Sequence, residues 1–264
     1  MDLQLSNKTA LVTGSTAGIG FAIASLFAQE GAAVVLNGRT EKRVDEAIDL
    51  IRGEHKDARV TGVAADLGTS EGVDLITRSM PHIDILVNNL GIFEPKPFLE
   101  IPDEDWLRFF EVNVMSGVRL SRFYLPGMLK RNWGRIVFIS SESALNIPVE
   151  MIHYGVTKTA QVSLARGLAE MTAGTKVTVN SVLAGPTRSE GVEGFLQEMA
   201  KAKGSNLAAL EQEFFRSVRP TSLLKRFATP QEVAAMVVYV SSPAASATNG
   251  ASLRVDGGVV RSIV

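Results

Sequence analysis

The chain has 264 residues, and its 27 lysines and arginines nearly balance 28 aspartates and glutamates, leaving a formal charge of −1. That balance lacks the cationic excess that a nucleic-acid or polybasic membrane partner calls for, and the absence of cysteine excludes disulfides, thiolate zinc sites, iron–sulfur clusters and thiol catalysis. His55, His82 and His153 show no metal-site spacing, no run of ~18 apolar residues offers a membrane span, and Met1 to Lys8 lacks the pattern of a signal peptide, so a cytoplasmic globular protein is expected.

Short β-branched runs at 9–13, 33–36, 60–64, 83–87, 136–139, 177–183 and 252–255 alternate with stretches of helical length at 19–30, 41–52, 103–130 and 154–171. Several runs are apolar at nearly every position, as in strands covered on both faces. The alternation predicts an α/β fold, a doubly wound, Rossmann-like parallel sheet of about seven strands flanked by helices, with 1–264 forming one domain.

The first strand runs straight into Thr13-Gly14-Ser15-Thr16-Ala17-Gly18-Ile19-Gly20, and a helix follows. A tight strand-to-helix turn needs a residue tolerant of positive φ, and a pyrophosphate needs unobstructed N–H groups at a helix N-terminus. Gly14 is expected to make the turn, Gly18 to admit close approach, and Gly20 to let the helix pack. The G-x-x-x-G-x-G spacing is not the G-x-G-x-x-G of long-chain dehydrogenases; it resembles the short-chain dehydrogenase/reductase family, whose signature is T-G-x-x-x-G-x-G. The resemblance implies dinucleotide binding by Gly14, Ser15, Thr16, Gly18, Ile19 and Gly20.

The second strand ends Asn37-Gly38-Arg39-Thr40, with no carboxylate at its tip. An acidic residue there would hold the ribose of NAD, whereas Arg39 presents a planar fork suited to a 2′-phosphate. In the family, arginine at this place marks NADP(H) preference, so NADP(H) is expected over NAD(H), with Arg39 and Thr40 at the cofactor. The resemblance further places Asp66 and Leu67 at the adenine, and the Asn88-Asn89-Leu90-Gly91 loop, with Asn89 and Gly91, beside the adenosine ribose. Leu90 stands where the family has alanine and is expected to tighten that space.

Within 103–130, Pro126 is expected to kink or end the helix near Tyr124 or Leu125. Tyr154 and Lys158 stand four residues apart at a helix start, one turn apart on one face. A nearby positive charge brings a phenol, ordinarily at ~10, toward working pH. Ala160, Leu164, Leu168 and Met171 form a second stripe expected to be packed. By resemblance, Ser141, thirteen residues before the tyrosine, is the catalytic serine that holds the substrate oxygen, and Asn113 bends its helix around a water in the proton path. Ser140 and Ser143 are read as turn-capping residues, and His153 as a local or interface residue.

The stretch from Asn180 to Ser189 resembles the family's N-x-x-x-P-G-x-x-x-T segment, which places Gly185, Pro186, Thr187 and Ser189 at the cofactor. Ala184 replaces the family's proline and is expected to loosen the turn. Residues 188–224 break the α/β rhythm and read as a lid of two short helices, whose Phe195, Met199, Phe214 and Phe215 line an apolar pocket or hold the lid's own core. Thr229-Pro230-Gln231-Glu232 predicts a capped helix start, and Leu253 to Gly258 matches a family ending.

The resemblance implies hydride transfer between NADPH and a ketone or secondary alcohol through Asn113, Ser141, Tyr154 and Lys158, without a metal. The small-molecule substrate, and with it the direction of reaction, stays open. The alternatives are a 3-oxoacyl-[acyl-carrier-protein] reductase, with Arg122, Lys130, Arg131 and Arg135 as candidate basic patch, and a catalytically silent cofactor-binding regulatory protein. A homo-oligomer, tetramer or dimer, is expected by resemblance.

Overall fold

The computed structural model describes residues 2–203 and 206–263. Strands β1 (Thr9–Val12), β2 (Ala33–Gly38), β3 (Val60–Ala64), β4 (Ile85–Asn88), β5 (Gly134–Ser141), β6 (Val177–Ala184) and β7 (Ser252–Val255) form one sheet. Its order is β3-β2-β1-β4-β5-β6-β7, and every neighbouring pair is parallel. This is the Rossmann-like sheet that the alternation predicts. The strand order reverses between β1 and β4, and a crevice opens outside the carboxyl ends of the strands at such a point.

Nine helices are found among the described residues: α1 (Gly18–Gln29), α2 (Glu41–Glu54), α3 (Ser70–Ser79), α4 (Asp103–Phe110), α5 (Ser116–Lys130), α6 (Ile152–Glu170), α7 (Glu190–Lys203), α8 (Leu207–Glu213) and α9 (Pro230–Val240). One face of the sheet packs against α1, α2 and α9 through Ile23, Phe27, Ile51 and Val237. The other packs against α3, α5 and α6 through Ile76, Leu120, Met128 and Ala165. Covered on both sides, β5 and β6 are buried at every position. Phe138 of β5 is fully buried in the second core, where truncation to alanine costs about 3–5 kcal/mol. No helix among the described residues is long and apolar enough to cross a membrane.

Local signals explain several element ends. The Thr229 hydroxyl accepts from Glu232 N while the Glu232 carboxylate accepts from Thr229 N, a complete capping box with Pro230 at the first helical position. Pro126, by contrast, does not end α5, which continues to Lys130. The carbonyl it would leave unbonded belongs to Arg122, and both residues are exposed, so water satisfies it. The break in the 103–130 helix lies upstream instead, as a π-helical turn over Glu111–Met115 that joins α4 to α5.

The expected stripe on α6 packs in part, Leu164 and Leu168 lying against the second core. Leu164 and Leu168 are half-buried and Met171 is exposed, while Thr157, Gln161, Ala165 and Ala169 form the buried row. The candidate basic patch does not form beside the crevice. Lys130 ends α5 and Arg131 follows it, both ahead of the first residue of β5 and so at the end of the sheet opposite Ser141. Arg135 is buried, bonded to the carbonyls of Gly134, Lys176 and Ser242 and stacked on Trp133, and burial lowers its guanidinium to about 10.

Candidate active site

The glycine turn opens a cavity of about 940 Å³ at the carboxyl ends of β1, β2 and β4. Gly14 and Gly18 hold φ of 59° and 58°, the left-handed region that glycine enters without steric cost. A Cβ on Gly20 would lie 2.4 Å from the carbonyl oxygen of Gly14 and 2.5 Å from Asn89 Nδ2, so only glycine lets α1 sit on the turn. The first residue before α1, Ala17, offers no side-chain cap. The N–H groups of the first helical turn therefore stay free beside the cavity, with the positive end of the helix dipole behind them.

Gly14, Thr16, Gly18, Ile19, Gly20, Arg39, Thr40, Asp66, Leu67, Asn89 and Gly91 all wall this cavity, as the sequence predicts. Leu90 joins them in the wall. Ser15 is the exception. Its hydroxyl donates to Val12 O (2.7 Å) and accepts from Asn37 N (2.9 Å), and the residue is fully buried, so it braces the turn instead of facing the cavity. Asn37 completes the brace: its side chain accepts from Gly14 N and donates to the carbonyls of Val63 and Ala65. Arg39 is exposed and makes no ion pair or hydrogen bond among the described residues, whereas Arg43, which also walls the cavity, pairs with Glu190 at 3.2 Å. The sequence reading missed Arg43; its place in the first turn of α2, close after Arg39, was the available signal.

A second cavity of about 470 Å³ adjoins the first and shares Ile19, Asn89, Gly91, Phe93 and Ser189 with it. Ser141, Tyr154, Lys158, Gly185, Pro186 and Thr187 line it. Ser141 ends β5 and caps the short turn that follows, its Oγ accepting from Ser143 N at 3.1 Å. One lone pair is thus taken, and the hydroxyl proton is left for a partner on the cavity side. The capping role expected of Ser140 and Ser143 falls to Ser141 itself; Ser140 instead donates to Lys158 O (2.9 Å), tying β5 to α6. Gly155 lets α6 come this close, because a Cβ there would lie 2.9 Å from Ile147 Cγ2 and 3.1 Å from Ser143 O.

Burial pushes the Tyr154 phenol up to about 12, against the pull of its hydrogen bond with Ser141. Burial also lowers Lys158 to about 8. The ammonium donates to Ile139 O (2.9 Å) and Gln161 Oε1 (3.2 Å) and stands 5.6 Å from the centre of the Tyr154 ring. Gln161, absent from the sequence reading, links further: its Nε2 donates to the backbone oxygen of Asn113 at 2.6 Å. Asn113 sits inside the π turn, whose irregular bonding makes that carbonyl available. Its side chain accepts from Ile92 N (2.7 Å) and donates to Ile92 O and Thr157 Oγ1 (both 3.0 Å), and Thr157 in turn donates to Tyr154 O. One buried network therefore fixes the loop after β4, the π turn and the start of α6.

Residues 186–189 are not loosened by Ala184. β6 runs through Ala184, Gly185 N donates to Val255 O, and Thr187 pairs with Ala228 in a parallel bridge. Backbone pairing on both sides replaces the stiffness a proline would give. A Cβ at Gly185 would meet Asp256 Cα at 2.6 Å.

Within 188–224, α7 and α8 are the two expected short helices. Phe215 packs with Leu210 and Phe227 as a small core, and Phe214 both joins that core and lines the second cavity. The side chains of Phe195 and Met199 lie outside the described residues. His153 is fully buried, its ring 4.0 Å from that of Phe109, with neither ring nitrogen bonded. It is a local packing residue, as read.

The sequence reading places specificity in residues 142–152 and 188–224 but does not foresee the ion pairs that form the cavity's polar wall. Arg219 donates from Nε to Glu142 (2.8 Å) and from Nη1 to Glu150 (3.0 Å), and all three residues line the cavity. Glu142 and Arg219 are 77 positions apart, and no sequence pattern pairs them.

Known proteins resemble this chain in sequence and in fold. A family model described as Enoyl-(Acyl carrier protein) reductase matches residues 14–260. The Uncharacterized oxidoreductase YvaG of Bacillus subtilis (strain 168) is 51% identical over 263 residues, covering 100% of both chains. Dehydrogenase/reductase SDR family member 4 of Caenorhabditis elegans is 32% identical over 262 residues, covering 97% of this chain and 96% of its own. Among solved structures, L-sorbose reductase from Gluconobacter frateurii, complexed with NADPH and L-sorbose, superposes with a TM-score of 0.93 at 34% identity and 100% coverage of both chains. The chain belongs to the short-chain dehydrogenase/reductase family. It is an oxidoreductase of that family.

Proposed function

We propose that the protein transfers hydride between NADP(H) and a ketone or secondary alcohol. The observation that carries this reading is the meeting of Ser141, Tyr154 and Lys158 in one cavity that opens onto the glycine turn. The cofactor fits the residues present: the uncapped start of α1 and the glycine cradle suit a pyrophosphate, and unpaired Arg39 suits a 2′-phosphate better than a bare ribose. The NADPH held by the Gluconobacter relative supports the same preference; NAD(H) is the less favoured cofactor. When bound, the nicotinamide supplies the hydride.

The chain's own residues supply placement and the proton. Ser141, with a lone pair engaged by Ser143 N–H, donates its hydroxyl proton to the substrate oxygen and to the alkoxide that develops there. Tyr154 delivers the proton to that oxygen. Lys158, with its Nζ 5.6 Å from the centre of the Tyr154 ring, is the positive charge that favours the phenolate form, and its donors suit the nicotinamide ribose. Asn113 and Gln161 hold the lysine's surroundings and connect it to the π turn. Residues 188–224 act as the lid, with Phe214 facing substrate.

Exposed Leu107, Phe110 and Phe123 on α4 and α5 form an apolar face that supports a homo-oligomeric assembly, which sedimentation measures directly. The function is tested by NADPH consumption over a panel of ketones, aldehydes and acyl thioesters. Tyr154→Phe is expected to abolish turnover while leaving NADPH binding intact; retained turnover would remove the assigned proton donor.

A further inference from the structure

Ser141 and Tyr154 have to reach one substrate oxygen, yet they stand on different elements, the end of β5 and the first turn of α6. Residues 142–151 between them include two single turns, Glu142–Ala144 and Val149–Met151. The bonds that shape these turns are local: Leu145 N and Asn146 N donate to Glu142 O, and Met151 N donates to Pro148 O. Thr159 Oγ1 donates to Ala144 O, which rests the first turn on α6. None of these bonds joins the first turn to the second. That link comes from Arg219, 77 positions from Glu142 and 69 from Glu150.

Arg219 donates from Nε to Glu142 Oε1 (2.8 Å) and from Nη1 to Glu150 Oε1 (3.0 Å). Both nitrogens belong to one rigid plane, so the two carboxylates are fixed relative to each other. Glu142 directly follows Ser141 and opens the turn whose Ser143 N–H engages Ser141 Oγ. Glu150 lies four residues before Tyr154, in the turn that leads into α6. Arg219 itself follows the π-helical turn Phe214–Val218: its backbone N donates to Phe214 O, and its guanidinium carbon is 5.9 Å from the centre of the Phe214 ring. One side chain thus meets the serine's segment, the tyrosine's segment and the lid.

Stability alone is a poor account of this arrangement. The side chains of Arg219 and Glu142 are 8% and 3% exposed, and a buried ion pair is often no more stabilising than apolar side chains of similar volume. Glu142 Oε2 is also left buried without a partner, which is a further cost. What the charged groups supply and apolar ones lack is direction.

We propose that Arg219 is a positioning residue: by clamping Glu142 and Glu150 it holds Ser141 and Tyr154 at their working separation, and it ties that setting to the seating of Phe214. The inference rests on the roles proposed above for Ser141 and Tyr154, and it assigns no contact between Arg219 and the substrate.

The test is kcat for NADPH-dependent ketone reduction, expressed per NADPH-binding site and measured well below the melting temperature. It is run with NADPH carrying either hydrogen or deuterium at the transferred position. Arg219→Lys keeps a positive charge beside Glu142 but lacks the fork that reaches both carboxylates. Glu150→Ala removes the half-buried arm of the clamp and leaves the pair with Glu142 whole. Arg219→Lys is expected to lower kcat by about 10- to 100-fold and Glu150→Ala by about 3- to 10-fold, the scale of a small misplacement of reacting groups, with NADPH dissociation constants within about threefold of wild type. The isotope effect on kcat is expected to be at least as large as in the wild type, as for a slowed chemical step. A folded Arg219→Lys with wild-type kcat reduces the arginine to a neutralising charge and overturns the proposal; if that variant does not fold, a wild-type kcat in Glu150→Ala does the same. A diminished isotope effect also overturns it, because the loss then lies in lid motion or product release. Failure of the underlying reading looks different: the wild type itself then reduces no ketone of the panel, whereas failure of the clamp leaves wild-type turnover intact.

Discussion

Replacing Gln161 by leucine keeps the side chain's approximate volume and removes two hydrogen bonds of opposite consequence. The first is the 2.6 Å bond to the Asn113 carbonyl. Its loss leaves a buried acceptor unpaired, at about 1–3 kcal/mol, partly offset by the apolar surface leucine adds to a site that is 1% exposed. The second is the 3.2 Å bond from Lys158. Burial already lowers that lysine to about 8, and among the described residues its ammonium has two acceptors, Gln161 Oε1 and Ile139 O. A hydrogen bond to a charged group contributes about 1.5 kcal/mol or more, which corresponds to roughly one pH unit. The ammonium is the form that favours the phenolate of Tyr154, so activity should fall on the alkaline side as the lysine loses its proton. In the Gln161→Leu variant that alkaline limb is expected about one pH unit lower than in the wild type, with a loss of a few degrees in melting temperature. The measurement is kcat for NADPH-dependent ketone reduction as a function of pH, alongside thermal unfolding of the same preparation. An unmoved limb with lowered stability would reduce Gln161 to a packing residue and break the link drawn between the π turn and the lysine.

Arg39→Ala is expected to raise KM for NADPH by about 10- to 100-fold, from loss of a charged phosphate contact, while KM for NADH stays within about twofold; equal changes for both would refute the phosphate assignment. His153, buried against Phe109 and Trp106 and influenced by Asp105, Glu94, Arg108 and Lys96, has its pKa held below 6.5 by burial. The unfolded chain therefore binds a proton there that the folded chain refuses, and stability is lost as pH falls below about 6.5, by up to ~1.4 kcal/mol per pH unit until the folded-state pKa is reached. Urea unfolding of His153→Phe should show less of that acid sensitivity, and an unchanged pH slope would count against it. Thr229→Ala, which removes the hydroxyl half of the capping box on α9, should cost about 1 kcal/mol in the same assay, without altering turnover.

The parts of the site that were legible in the sequence are those whose chemistry is local. The glycine turn, Arg39 and the Tyr154–Lys158 pair each occupy a few consecutive positions, so spacing alone fixes their relative geometry. Ser141 was legible only through its distance from Tyr154, and its backbone role was assigned to its neighbours, because which of Ser140, Ser141 and Ser143 caps a turn depends on where the strand ends. Ser15 was misplaced for a similar reason: a hydroxyl beside a glycine turn satisfies either a ligand or the turn itself, and Val12 O and Asn37 N claimed it. Pro126 was read by rule, whereas the rule's cost depends on whether the freed carbonyl reaches water. The Glu142–Arg219–Glu150 pairing was invisible because it joins the turns after β5 to the far end of the 188–224 segment, and nothing in either stretch names the other.

The π turn has one more consequence, and it is written in the numbering. Phe109, Asn113, Gly117, Leu120, Tyr124 and Met128 are all buried along the α4–α5 rod. From the first to the last is nineteen positions, whereas five regular turns span about eighteen. The surplus residue is absorbed between Glu111 and Met115, so the two halves keep a common inward side despite the mismatch. A chain shorter by one residue there would regain an unbroken helix with the same side turned inward, and would lose the spare carbonyl that Gln161 reaches. The extra residue thus leaves the scaffold's inward face in register while freeing a carbonyl for Gln161.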